Sequence, residues 1–446
     1  MLAAAKYLLA EVLLVVLGAG AAFHPSVRSL GVAARLAAAF GAGAVAITLE
    51  ATLFSIVGLP WTVGTLALPL LLVSFASALR WRRRPAPARA PVRISWGMAV
   101  CSAGVCAASL IYLALSFASS SATSVDFLFF WGVKAVRFAD SRGFDAEFLR
   151  GPFTVHASLD YPPLVPVVEA WGCLVAGKMP WRAVPAASTL WAAAAIPLIF
   201  ERLRRRFGDR SAAGLVAFWS AALCVSLANS YSGGNAEAPL VFFESVGLTW
   251  LLTEADSRES RVAPIVALCG AALTKVEGSA AVALLAAGCF FSDRRGSVAA
   301  RLRKSLSLFP WPVLCVSLWF LYQAKRSLRV GYRAHGELLV LFPRHLPGIL
   351  KAMFRNLDAG SLWLPWLFAL LWLAARPRAW RRAAPAVALA VGLPAFLVFD
   401  YLHDQRDPTE RIGWTTPRVA QPALSAALLA AGVLSMRSRL RECGDL

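Results

Sequence analysis

Residues 262–292 read VAPIVALCGAALTKVEGSAAVALLAAGCFFS. The run is apolar throughout except for Lys275 and Glu277 near its middle. It is longer than the ~20 residues that cross a bilayer once. The segment behind it, DRRGSVAARLRKS (293–305), is strongly basic. Read as one long crossing, 262–292 would carry that segment away from the chain's other basic loops. Read as two short helices turning at Thr274–Gly278, it returns the segment to their side. Basic loops stay on the cytoplasmic side of a membrane, so the second reading is the one expected, and it sets the topology of everything around it.

The rest of the chain is equally apolar. Of 446 residues, 58% are hydrophobic and 16% charged, with mean hydropathy +0.62. A soluble domain carries roughly a quarter charged residues, so the solvent here is a bilayer. The net charge of +20 and pI near 10.4 would suggest nucleic acid in a soluble chain. Here the charge is topological: it gathers in RWRRRPAPARAPVR (80–93), ERLRRRFGDR (201–210), DRRGSVAARLRKS, ARPRAWRRAA (375–384) and RSRLR (437–441). No basic domain with interleaved aromatics supports a nucleic-acid partner. Seven of the eight cysteines lie in apolar segments without CxxC or Cys/His spacing and read as small core residues.

Apolar runs over about 7–23, 33–58, 62–80, 95–118, 183–200, 212–230, 236–253, 262–275, 278–292, 306–323, 361–375, 384–400 and 417–436 predict an all-α polytopic membrane protein with about 13 transmembrane helices. The N-terminal run resembles a signal peptide, but Glu11 interrupts it and a first span is expected instead. The division is three N-terminal spans over 1–80, a basic cytoplasmic linker over 81–93, a main membrane domain over 94–436 and a cytoplasmic tail over 437–446. Placing 201–210 inside makes 162–177 a helix at the membrane's outer edge within one long outer loop, 119–182. The segment 324–360 is an outer loop rich in cations, facing either an anionic ligand or the wrong side.

With this parity the unusual polar residues fall on one face. Asp126 opens the long loop in VDFLFFWGVKAVRF (125–138), and helical spacing places Phe130, Lys134 and Arg137 near it. An ionisable group at membrane depth is a functional candidate, although Asp126 could simply pair with Lys134. His156, Asp160 and Tyr161 precede a Pro-Pro that pins a helix start, where Asp160 could equally be a cap. Asn235 and Glu237 lie in GGNAEAP, and Lys275 and Glu277 in TKVEG, where the last two either neutralise each other or serve a site. YLHDQRDPTERIGWTTP (401–417) adds Arg411. The last span then opens with Arg418 and Gln421 one turn apart, Arg418 reading as a phosphate clamp or as a snorkelling side chain.

The set DFLFFWGVKA, HASLDYPPLVP, NAEAP, TKVEG and a late arginine resembles the GT-C superfamily of membrane glycosyltransferases, in the bacterial branch related to protein O-mannosyltransferases and the lipid A aminoarabinose transferase. The resemblance covers roughly 95–436. It implies a polyprenyl-phosphate-linked sugar donor, a lipid, glycan or protein acceptor, and inverting transfer on the outer face of the cell (inner) membrane. Asp126 would be the catalytic base. Trp131, Lys134, His156, Asp160, Tyr161, Asn235, Glu237, Lys275, Glu277, Arg411, Arg418 and Gln421 would bind substrates, with Trp131 or Tyr161 stacking on a sugar ring. Relatives often carry a second acid directly after the first; Phe127 stands there instead, which leaves the acceptor type open and weakens a divalent metal as cofactor. No cofactor is expected, and beyond substrates the partners are membrane lipids. The rival readings are a transporter or lipid flippase, and a non-catalytic GT-C-like assembly subunit.

Overall fold

The computed structural model describes residues 1–82, 94–122, 124–151, 161–230, 233–253, 262–292, 297–328, 341–359, 363–375, 383–403 and 408–442, without side chains at 357–359, 363–364, 410, 414 and 437–442. All regular structure among the described residues is helical. Among the described residues, seven helices are long and apolar enough to cross a membrane: Val32–Val57, Val63–Arg82, Trp96–Ala122, Ala183–Phe207, Asp209–Asn229, Ala384–Tyr401 and Arg411–Met436. An eighth crossing results if Val298–Leu306 and Pro310–Lys325, bent by 41°, act as one. The chain is therefore an all-α polytopic membrane protein. Shorter apolar helices, among them Leu164–Ala176, Val262–Thr274 and Val276–Ser292, fill the space between.

Burial sorts these helices. Only 11% of the apolar windows of Val63–Arg82 and Trp96–Ala122 is enclosed by protein, whereas 83% of that of Arg411–Met436 is. Leu68, Leu72, Phe75, Ile111 and Leu115 are exposed on the first two. Such side chains need lipid around them, so these two helices are peripheral and Arg411–Met436 is central.

Small residues bring the backbones together, as they do where lipid removes the hydrophobic drive between helices. A Cβ on Gly43 would stand 2.0 Å from the Leu14 carbonyl oxygen, and one on Gly18 would stand 2.0 Å from that of Ala39. The two glycines thus let Leu2–Leu17 cross Val32–Val57 in direct backbone contact. The first helix does not run to residue 23 as its hydropathy suggests. It ends at Gly18, and the short turns Ala19–Ala22 and Pro25–Arg28 follow. Pro25 and the His24 ring, which accepts from the Ser26 amide, start the second turn.

The stretch 262–292 is broken at Lys275, as expected from the basic segment behind it. A Cβ on Gly278 would sit 1.9 Å from the Ala271 carbonyl oxygen. Residues seven apart on a straight helix are separated by about 10 Å, so the two halves fold back on each other, and only glycine fits at the crossing.

Two expectations change. The helix in 162–177, Leu164–Ala176, is not exposed on the surface of the bundle; every residue from Leu164 to Cys173 is buried. Trp171 donates to the Ala10 carbonyl at 3.0 Å, and Gly172 faces the Tyr7 ring. A helix apolar on all sides is enclosed rather than interfacial, and this one is covered by Leu2–Leu17 and Gly132–Asp140. The segment 324–360 is likewise not a plain loop. It contains the helix Leu346–Ala359, whose Ile349 and Met353 cluster with Tyr401, Ile412 and Val419. Leu350, Lys351, Phe354 and Arg355 are exposed, the pattern of a helix lying in a membrane interface. Arg329 and Arg333 fall outside the described residues.

Helix termini define two ends. At one, Arg205 donates to Ser29 (2.7 Å), Arg202 to Thr253 (2.8 Å) and Arg28 to the Trp81 carbonyl (3.0 Å). Residues 80–82, the described start of the first basic segment, and segment 201–210 meet there. Glu237–Thr253 runs from this end to the other over about 25 Å at 1.5 Å per residue. At the far end stand Asp126, Glu237, Lys275 and Arg418.

Candidate functional site

The site is assembled where four helix ends meet. Trp96–Ser119 delivers the chain to Ser124, whose hydroxyl donates to the Gly233 carbonyl (2.9 Å) and lies 3.3 Å from the Asn235 side-chain oxygen. Gly234 adopts φ +78°, and a Cβ there would press within 2.5 Å of the Phe127 ring. That conformation favours glycine. These contacts stitch the segment carrying Asp126 to the start of helix Glu237–Thr253.

Immediately after Asp126 the backbone forms a π-helical turn, Phe127–Trp131, before continuing as the α-helix Gly132–Asp140. Neither Lys134 nor Arg137 pairs with the Asp126 carboxylate. Arg137 bonds Asp145 instead, at 3.1 Å. The Lys134 ammonium sits over the rings of Phe130 (4.5 Å) and Trp131 (5.6 Å). Asp126 is left facing the last helices of the chain, and its carboxylate accepts from the Arg418 guanidinium.

A second charge cluster adjoins this pair. Lys275, in the break of the hairpin, lies 3.2 Å from Glu237 and 3.2 Å from Glu277. Arg418 is within electrostatic reach of Glu237, Tyr161 and Lys275. Glu237, Lys275 and Glu277 are all buried. A lone buried charge costs several kcal/mol, and the lysine between the two carboxylates offsets that cost for its neighbours. The expectation that Lys275 and Glu277 neutralise each other is thus half the picture, since Glu237 takes the other side of the ammonium. One oxygen each of Glu237 and Glu277 is buried with no hydrogen-bond donor among the described residues.

Tyr161 forms the aromatic wall. Its ring lies 5.5 Å from Phe130 and 5.6 Å from Trp131, with the Lys275 ammonium 5.6 Å from its centroid. Trp131 is fully enclosed between Phe130, Tyr161 and Lys134. It supports Tyr161 and offers no face to a ligand, which corrects its expected stacking role; Tyr161 keeps partial exposure.

Two other expected binding residues lie elsewhere. Arg411 pairs with Asp400 at 3.3 Å and covers the Tyr401 ring at 5.5 Å, in the satellite cluster beside Leu346–Ala359. Gln421 turns its amide back to the Pro417 carbonyl (2.8 Å) and is buried, because a helix break at Ala420 separates it from Arg418. His156 and Asp160 lie outside the described residues. Among the described residues no group of three or more His, Cys, Asp or Glu side chains is placed to hold a metal ion.

Sequence reasoning missed Ser124, which ties the two halves of the site. It also missed Glu244, buried two turns below Glu237 on the same helix, with no hydrogen-bond partner for either oxygen among the described residues. The seven-residue spacing from Glu237 to Glu244 was the available signal. Glu11 and Glu169 are further buried carboxylates; they line a small cavity together with Asn235.

No protein-family model matches this chain, and no curated protein or solved structure matches it either. The chemistry of the site therefore rests on its geometry. That geometry combines a half-exposed carboxylate held by an arginine, a lysine between two acids with spare acceptor atoms, and an aromatic wall, all at the ends of apolar helices.

Proposed function

We propose that this chain is a GT-C-type glycosyltransferase with about 13 membrane crossings. It moves a sugar from a polyprenyl-phosphate donor to an acceptor hydroxyl on the extracytoplasmic face of the inner membrane. The observation that carries the reading is the Asp126–Arg418 pair, built beside Glu237–Lys275–Glu277 at the end of the bundle remote from the basic segments. With the basic segments read as cytoplasmic, the opposite end is the outer one, which supports an outward-facing site.

The pair suits the reaction. A hydroxyl is a weak nucleophile at neutral pH, and a positioned carboxylate that takes its proton contributes about 10²–10⁴-fold. Arg418 is a planar, permanent cation that matches phosphate. In the free protein Asp126 satisfies it. A donor phosphate competes for Arg418 and releases Asp126 toward the acceptor. The acceptor oxygen then bonds to the sugar carbon as its proton passes to Asp126, and the bond from that carbon to the phosphate oxygen breaks. The polyprenyl phosphate leaves with the electron pair, its charge stabilised by Arg418. The spare oxygens of Glu237 and Glu277 accept hydroxyl hydrogens of the sugar, and the Tyr161 ring bounds its apolar face.

Incubating the purified chain with a panel of polyprenyl-phosphate sugars and following sugar consumption tests the reading. Turnover of one donor, lost in Asp126→Asn with donor binding retained, supports it. A transport reading draws on the buried carboxylates Glu11, Glu169 and Glu244, since ionisable groups inside a bundle also mark ion pathways. Under that reading Asp126→Asn preserves flux across vesicles and no sugar is consumed.

A further inference from the structure

At the end of the bundle opposite the candidate site, an apolar groove of about 230 Å³ opens between the first helices and the Glu237 and Val262 helices. Gly41, Phe242, Phe243 and Val246 line its deep part, and Trp250, Trp81 and His24 line the part nearest the basic segments. From Phe242 to Trp250 it extends about 12 Å along the helix. That is close to one leaflet of a ~30 Å hydrocarbon core. A Cβ on Gly41 would meet the Phe242 ring at 2.7 Å, so glycine keeps this passage open.

Polar groups gather only at the basic end. Trp250 lines the groove, and its buried indole N–H has no acceptor among the described residues. The Arg202 guanidinium lies 5.4 Å from that ring, Arg28 donates to the Trp81 carbonyl, and Arg80 stands 5.4 Å from the Trp81 ring. An unsatisfied buried donor calls for an acceptor oxygen, and arginines beside the two tryptophans favour an anion at that end. Below both lies a slot for hydrocarbon.

We propose that this groove binds one anionic diacyl phospholipid of the adjacent leaflet. One acyl chain lies between Phe242, Phe243 and the Val262 helix. An ester carbonyl accepts from Trp250, and the phosphate faces Arg202 and Arg28. The site is separate from the Asp126–Arg418 pair and stands whether or not that pair transfers sugar. Such a lipid cements the first helices to the Glu237 helix, which carries the candidate site at its other end.

Native mass spectrometry of the full chain, titrated with phosphatidylglycerol, phosphatidylcholine of the same chains and a polyprenyl phosphate, tests this. Phosphatidylglycerol is retained about ten-fold more tightly than phosphatidylcholine, the scale of one charge-assisted hydrogen bond. Arg202→Gln removes that preference. Trp250→Phe keeps the ring and weakens both diacyl lipids. Ala263→Trp and Ala38→Phe fill the groove from two different helices, and each abolishes retention while the variant elutes as the folded protein. If either filler misfolds, Arg202→Gln and Trp250→Phe still decide. Equal retention of the two diacyl lipids, retention unaffected by a folded filler, or displacement of phosphatidylglycerol by the polyprenyl phosphate overturns the proposal.

Discussion

Asp126 and Arg418, 292 positions apart, form one ion pair at the mouth of the bundle, with the arginine largely enclosed and the carboxylate 39% exposed. The asymmetry matters. The cation is held in place by its surroundings, while the acid retains access to whatever enters. A pair buried on both sides would be structural; this one can be opened from the acid's side by a competing anion.

Removing the acid's charge should therefore affect chemistry more than folding. Asp126→Asn is expected to reduce sugar transfer by about 10²–10⁴-fold and to leave the thermal unfolding midpoint within a few degrees of the parent. Arg418→Lys should weaken donor binding, because an ammonium lacks the two-pronged geometry of guanidinium. Equilibrium binding of a polyprenyl-phosphate sugar measures it.

Lys275 is the opposite case. Lys275→Met leaves Glu237 and Glu277 buried without their shared cation, at a cost of about 3–5 kcal/mol. A clear fall in thermal stability in detergent is expected. The triple variant Glu237→Gln/Lys275→Met/Glu277→Gln should recover most of it, since no uncompensated charge remains. A triple variant as unstable as the single one would contradict the ion-pair account.

The crossing at Gly18 and Gly43 admits no side chain. Gly43→Val places atoms where the Leu14 carbonyl stands. Overpacking of this kind costs about 1–3 kcal/mol or more. The measurement is the thermal midpoint by fluorescence, with Gly58→Ala as an unsuitable control because of its positive φ and Gly97→Ala, which meets nothing, as a suitable one.

Orientation has a direct test. Lys178 is exposed beside Trp181, whose ring contacts Phe127 near the site, and Arg206 is exposed among the basic residues at the other end. In intact cells a membrane-impermeant thiol reagent should label Lys178→Cys and spare Arg206→Cys. The reverse pattern would move the Asp126 site to the cytoplasm and remove its access to an outer-face acceptor.

The membrane class, the apolar helices and the hairpin at Lys275 were legible because they depend on local quantities: run length, the spacing of apolar residues, and charge between runs. The polar residues 126, 161, 235, 237, 275 and 418 could be grouped on one face for the same reason, since parity alone decides which helix ends share a side. Partnership within that group was not legible. Periodicity offered Lys134 to Asp126, but Asp126 pairs with Arg418, 292 positions away.

By itself, then, the chain's pattern of grease and charge determined what solvent surrounds it and which ends of its helices assemble together, because lipid and cytoplasm act on every residue independently of its neighbours. The tertiary structure alone decided that Arg418 holds Asp126, that Glu237 shares Lys275 with Glu277, that Trp131 is sealed, and that Arg411 and Gln421 turn away. Those outcomes depend on distances of a few ångströms, between segments 292 positions apart for Asp126 and Arg418 and 38 apart for Glu237 and Lys275. They are set by how the helices cross, at single glycines among other places, and such crossings leave no periodic trace in the sequence.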